Sequence, residues 1–160
     1  MKLEKEFRTY IASPVGLIEI ISNELAVKRI NFLKNKKKPV RNDIKNSKVL
    51  SNTVKQIEQY FKGKRKFFDL PLFIKGTPMQ QSVWMEILNI PRGETSSYKD
   101  ISVKIKKPNA YRAVGSAVGK NPLPLIIPCH RVIHSNGDIK GFTGGNNIKK
   151  ILLKHEGVIK

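Results

Sequence analysis

The stretch Ser97-Tyr98-Lys99-Asp100-Ile101-Ser102-Val103-Lys104-Ile105-Lys106-Lys107-Pro108-Asn109-Ala110-Tyr111-Arg112-Ala113-Val114-Gly115-Ser116-Ala117-Val118-Gly119-Lys120-Asn121 decides how this chain is read. Ser97, three residues before Asp100, predicts a helix start of the capping-box type with aspartate in place of glutamate. That helix ends before Lys107-Pro108, because proline lacks an N–H and turns its predecessor away from helical backbone. A second helix is predicted from Pro108 or Asn109 to about Gly119-Lys120-Asn121. Two short helices joined by a tight turn, the second rich in alanine and glycine, fit a helix-turn-helix.

Working outward toward the N-terminus, Thr77 predicts the cap of a helix over 79–89 with Pro78 in its first turn. Val83, Ile87 and Ile90 form its inner face and Trp84 belongs to the core. Pro91-Arg92-Gly93 is a turn. Before residue 76 the texture changes. Residues 7–12 and 15–21 are β-rich runs around Ser13-Pro14, and 26–33 reads as a third strand. Residues 35–42 form a basic loop. Over 49–61, apolar residues at 50, 54, 57, 60 and 61 keep a helical period until Gly63, and 67–72 reads as extended. Toward the C-terminus, Pro122 and Pro124 stiffen the approach to the run Leu125-Ile126-Ile127-Pro128-Cys129-His130-Arg131-Val132-Ile133. Asn136-Gly137 is a tight turn, and a last helix over 147–155 stops at Gly157. The expected architecture is α/β of the α+β kind. A small strand-rich domain occupies 1–75, and a helical domain with the helix-turn-helix occupies 76–160.

The chain has 160 residues, 39% of them hydrophobic, and a formal net charge of +19. So few acids per lysine leave positive surface unneutralised, which points to a polyanion, nucleic acid before acidic membrane. Twenty-four of the basic residues are lysine, so part of the charge can be a solvated face. The single cysteine, Cys129, excludes an internal disulfide and a cysteine-rich zinc site. No apolar run reaches membrane-spanning length and MKLEKEF is no signal peptide, so an intracellular, cytoplasmic protein is expected. Lysines 99, 104, 106, 107 and 120 cluster around the helix-turn-helix. Contact with about six phosphates would give log affinity a slope near −5 against log salt.

Cys129 has two readings. A buried structural thiol is the commoner fate of one cysteine. As a nucleophile it would need a basic or cationic neighbour to become thiolate, and His130 and Arg131 follow it directly. In a regular strand neighbouring side chains point to opposite faces. His130 would then reach Cys129 only through a bend, which Pro128 makes available, or through a water.

Pro128-Cys129-His130-Arg131-Val132-Ile133, preceded by Gly119-Lys120-Asn121-Pro122, resembles the active-site signature of the O6-alkylguanine-DNA alkyltransferases. Ser97-Tyr98-Lys99, Tyr111-Arg112-Ala113-Val114-Gly115, Gly144-Gly145 and His155-Glu156-Gly157 follow in family order. The likeness covers about 76–158, while the first 75 residues match only in outline, as a divergent strand-rich domain that is ribonuclease H-like in the family. The resemblance implies that Cys129 attacks the alkyl carbon on guanine O6 and keeps it, in one stoichiometric event, with activity on O4-alkylthymine alongside. It implies that His130 acts as base through a bridging water, oriented by Glu156. Asn121 would hold the turn beside the active-site segment, and Tyr98 would donate its hydroxyl to the base or a flanking phosphate. Arg112 would enter the stack vacated by a flipped nucleotide, since O6 faces the major groove inside the stack and a buried thiol cannot reach it there. Ala110, Tyr111 and Gly115 would face the minor groove. Val132, Phe142, Thr143 and Gly144 would read the flipped base. Phe142 and Thr143 stand where many members have tyrosine and serine, and Tyr111 stands at an often small position. The resemblance further implies double-stranded DNA carrying O6-alkylguanine as partner, a monomer, no cofactor and no metal. Three alternatives remain at this point: a protein that recognises alkylguanine without transfer, a helix-turn-helix regulator, and a cysteine hydrolase.

Overall fold

A computed structural model describes residues 4–34, 37, 41–142 and 144–160. The chain divides into two compact units, Met1–Ile74 and Lys75–Lys160. Most of the expected basic loop at 35–42 lies outside the described residues.

In the first unit β1 (Phe7–Ser13), β2 (Gly16–Ser22) and β3 (Val27–Leu33) form an antiparallel sheet in the order β1-β2-β3. The first hairpin closes at the pair Ser13–Gly16, where Gly16 has φ +96°, a value that side chains with a Cβ adopt only with strain. In the second, Asn23 Oδ1 accepts from the amides of Leu25 and Ala26. The helix α1 (Lys48–Phe61) is capped by Ser47, whose hydroxyl accepts from the Leu50 amide at 3.1 Å. Leu50, Val54, Ile57 and Tyr60 are buried at the predicted helical spacing and turn toward the sheet. The segment at 67–72 lies along α1. There the Gln56 amide both donates to the Asp69 carbonyl and accepts from the Asp69 amide, and Val27 pairs with Leu72.

The second unit opens with α2 (Pro78–Leu88), one residue earlier than expected, with Pro78 at its first position and a full Thr77–Gln80 capping box. Val83, Ile87 and Ile90 are buried, and so is Trp84, whose indole N–H donates to the Ala117 carbonyl at 2.8 Å. The two-residue strand β4 (Ser96–Ser97) leads into α3 (Tyr98–Lys104), which carries the expected Ser97–Asp100 capping box. The helix α4 (Tyr111–Gly119) starts later than the sequence predicted. Pro108 and Asn109 belong to the preceding turn, closed by the Ala110 amide on the Lys107 carbonyl at 2.9 Å. Buried Ser102 donates to the Pro108 carbonyl at 3.2 Å, tying that turn to α3. Ala110 is therefore the residue before the helix, not part of it. The strand β5 (Val132–Ile133) runs parallel to β4, pairing Ser96 with Val132 and Ser97 with Ile133. The last helix, α5 (Asn146–His155), buries Leu152 and Leu153.

Candidate active site

The approach to Cys129 is an apolar loop held by one side chain. Asn121 donates from Nδ2 to the Ile127 carbonyl at 2.8 Å and accepts at Oδ1 from the Leu123 amide at 2.9 Å. The loop between them places Leu125, 1% exposed, at φ +77°. Left-handed backbone on a leucine costs of order 1–3 kcal/mol and persists only where the surroundings over-determine it. The Asn121 clamp and the burial of Leu123, Leu125 and Ile127 supply that constraint.

Cys129 does not sit in a strand. Cys129–Arg131 is one turn of 3₁₀ helix, entered through Pro128 at ψ 66° and closed by the Arg131 amide on the Pro128 carbonyl at 2.9 Å. The bend expected at Pro128 is this turn. The thiol is 4% exposed. Burial pushes it up to about 11, while the Asn121 side chain, the Lys149 charge and the amides of Cys129 and His130 favour the thiolate.

Behind the thiol lies a buried charge network. His130 Nε2 is 2.8 Å from Glu156 Oε1. Arg131 donates from Nε to Oε2 at 2.9 Å and from Nη2 to Oε1 at 2.7 Å, and its Nη1 donates to the Ile90 carbonyl at 2.7 Å. Arg131 is thus committed to Glu156 and Ile90, so it does not serve the sulfur although it is close in sequence. Burial alone would raise the Glu156 carboxyl. The hydrogen bonds from His130 and Arg131, with their charge, overcome that and hold it well below the usual carboxylate range. Burial keeps His130 below its ordinary value, and the Glu156 bond only partly opposes this. A carboxylate only accepts, so Nε2 carries the hydrogen and Nδ1 keeps its lone pair. Nδ1 is buried and has no hydrogen-bond partner among the described residues.

The remaining expected residues gather on two sides. Val132, at the start of β5, is fully buried, Phe142 is buried and Gly144 is partly exposed. Thr143 lies outside the described residues. Tyr98 opens α3, half-buried, and its hydroxyl is pushed up by burial and by the nearby Cys129 charge. A Cβ on Gly115 would meet the Tyr98 ring at 3.9 Å. Ala110, Tyr111 and Arg112 lie at the start of α4, with Tyr111 42% exposed and Arg112 exposed. Lys99, Lys104, Lys106, Lys107 and Lys120 are all exposed around this helix pair. Among the described residues no cluster of three histidine, cysteine, aspartate or glutamate side chains could hold a metal, and no helix is long and apolar enough to cross a membrane.

Three residues here were not singled out from the sequence. Arg131 was read as part of a motif, not as the partner of Glu156. His134 places its ring 5.0 Å from that of Tyr98, tilted 46°, and its Nε2 lies 3.1 Å from the Lys140 carbonyl. Lys149 is fully buried on α5 and donates to the Val132 carbonyl at 2.5 Å. Its spacing with Leu152, Leu153 and Glu156 is the signal that could have found it, since three- and four-residue steps share a helix face.

Residues 78–158 match the family model for the DNA-binding domain of 6-O-methylguanine DNA methyltransferase, and residues 7–74 match its ribonuclease-like domain. The chain belongs to the 6-O-methylguanine DNA methyltransferase family. It is 49% identical over 148 residues to the methylated-DNA–protein-cysteine methyltransferase of Methanosarcina barkeri, covering 91% of this chain and 94% of that one. It is 39% identical over 153 residues to the inducible methylated-DNA–protein-cysteine methyltransferase of Bacillus subtilis, covering 95% and 86%. The structure of Mycobacterium tuberculosis OGT in complex with DNA superposes with a TM-score of 0.84 at 37% identity, covering 94% and 92%. As a 6-O-methylguanine DNA methyltransferase the chain is an enzyme of direct-reversal DNA repair, one that moves a methyl group from DNA to a protein cysteine.

Proposed function

We propose that Cys129 is both nucleophile and permanent acceptor for the alkyl group of O6-alkylguanine in double-stranded DNA. One observation carries this: a protein-cysteine methyltransferase needs a cysteine, and Cys129 is the one cysteine in the sequence. The thiol proton passes through a water to His130 Nδ1, whose lone pair is kept available by Glu156 on the far side of the ring. The resulting thiolate attacks the alkyl carbon. The S–C bond forms, the C–O6 bond breaks and its electron pair stays on guanine. Tyr98 delivers a proton to guanine N3, which turns a poor leaving anion into neutral guanine. The thioether has no hydrolytic exit, so each chain acts once.

The guanine reaches the sulfur only by leaving the duplex. Arg112 fills the gap, with Ala110, Tyr111 and Gly115 against the minor groove. Val132, Phe142 and Gly144 line the pocket for the extruded base, and Thr143 joins them on the strength of its sequence position. Asn121 keeps the turn that presents the thiol. We place the protein in the cytoplasm as a monomer that acts on O4-alkylthymine as well, without cofactor.

Intact-protein mass after mixing with duplex DNA bearing O6-methylguanine tests the scheme. One added methylene per chain, once, is expected, and Cys129→Ala should bind the duplex and gain none. Continued turnover would refute the single-event mechanism. Binding by the unsubstituted protein with no mass change would replace it with recognition alone.

A further inference from the structure

Lys149 is a fully buried ammonium, and packing alone does not call for one. Lysine is almost never buried without a partner, and an apolar side chain of similar volume would fill the same space at lower cost. Lys149 instead faces two parts of the site. Its Nζ donates to the Val132 carbonyl at 2.5 Å and lies 6.0 Å from the centre of the Phe142 ring, and both residues line the base pocket of the preceding section. Its charge and that of the Cys129 thiolate attract one another. The other titratable groups that feel it are Asp138, which attracts it, and His130, whose protonation it opposes. Arg131 is turned away onto Glu156. Among the described residues Lys149 is therefore the side-chain cation acting on the sulfur.

We propose that Lys149 is a positioning residue for the transfer: its ammonium is the counter-ion of the Cys129 thiolate and, through the Val132 carbonyl, fixes the wall of the base pocket. This rests on Cys129 being the acceptor. Lys149 gives no proton to guanine. His130 gains the proton the thiol loses and Tyr98 loses the one guanine gains, so the net charge of the site is unchanged, and proton exchange with water returns both side chains to their starting forms. Once Cys129 is a neutral thioether, no counter-ion can form on the sulfur and the ammonium keeps the Val132 carbonyl and the attraction of Asp138. Burial already pushes Lys149 down to about 8. The ammonium is therefore present to meet the thiolate below that value and absent above it.

The test compares Lys149→Met and Lys149→Arg with the unsubstituted protein, following methyl transfer from O6-methylguanine duplex by intact mass across a range of pH. An opposite charge nearby favours the ionised form by one to three pKa units, so Lys149→Met should be slower by about tenfold to a thousandfold near neutrality. The gap should narrow as pH rises through about 8, where the unsubstituted protein loses its own ammonium. Lys149→Arg should keep most of the rate. A deficit in Lys149→Met that is the same at every pH, or no deficit, overturns the counter-ion role. Should the methionine variant fail to fold, the pH dependence of methyl transfer by the unsubstituted protein decides. Its rate should stop rising with pH at about 8, where the ammonium is lost, and a rate that goes on climbing toward the thiol's own value of about 11 overturns the proposal. These failures differ from failure of the acceptor assignment, in which the unsubstituted protein itself gains no methyl.

Discussion

Replacing Arg131 with methionine removes three buried hydrogen bonds at once, two to Glu156 and one to the Ile90 carbonyl. Breaking one side of a buried ion pair costs about 3–5 kcal/mol because the other charge is left behind. The orphaned carbonyl adds about 1–3 kcal/mol. His130 stays bound to Glu156 at 2.8 Å and offsets part of this, so a net loss of about 4 kcal/mol is expected, a large share of the roughly 5–15 kcal/mol that holds a domain together. Urea unfolding at several pH values distinguishes a charge effect from a packing effect. The Glu156 carboxyl is held below its usual range. The stability from the pair is therefore fully present above the unfolded carboxylate value, about 4.3, and disappears as pH falls through the lower folded value. The gap between the two proteins should shrink between about pH 5 and about pH 3. Adding Glu156→Leu to Arg131→Met removes the stranded charge and should regain at least about 2 kcal/mol. It should not regain methyl transfer, because nothing then holds the His130 tautomer. A gap that ignores pH, together with a double variant no more stable than the single one, would refute this account of the network.

Gly115→Ala should raise stability by about 0.5–1 kcal/mol, since glycine in a helix interior is costly and the new methyl meets the Tyr98 ring at an ordinary 3.9 Å. The same variant should bind duplex DNA more weakly in a fluorescence titration, because α4 can no longer approach as closely, and an unchanged affinity would show that this face does not meet the groove. Asn121→Leu should cost about 2–4 kcal/mol for the stranded Leu123 amide and Ile127 carbonyl. It should also move the pH dependence of Cys129 alkylation by iodoacetamide upward, because Asn121 favours the thiolate. An unmoved profile would mean that Asn121 acts on the loop alone.

What the sequence carried locally is what reading it recovered. The Thr77 cap and the Ser97–Asp100 capping box are encoded within four residues, and both formed as written, Thr77 adding a reciprocal bond with Gln80. The period of Leu50, Val54 and Ile57 placed α1 on its sheet, and Trp84 went to the core. Features that depend on distant partners were less legible. The start of α4 moved to Tyr111 because Ser102, on another helix, holds the Pro108 carbonyl. Cys129 sits on a 3₁₀ turn because the loop before it is clamped from Asn121. Glu156, near the chain end, reads as a solvated carboxylate until Arg131 and His130 are seen to meet on it. Lys149 was hidden among the lysines of its own helix, since its burial depends on β5 and not on its neighbours in sequence.

Lys149 on α5 and Glu156, the residue that caps its C-terminal end in helical backbone, are seven residues apart, two turns and about 10 Å along one face. One holds a positive charge against the Cys129–Val132 end of the site, and the other holds a negative charge against the His130–Arg131 end. Arg92 secures the same helix by donating to the His155 carbonyl at 3.0 Å. A single rod thus sets both poles of the field across the reacting atoms. If it slid by even a fraction of a turn, cation and anion would leave their stations together, so in the proposed mechanism both depend on the seating of one helix.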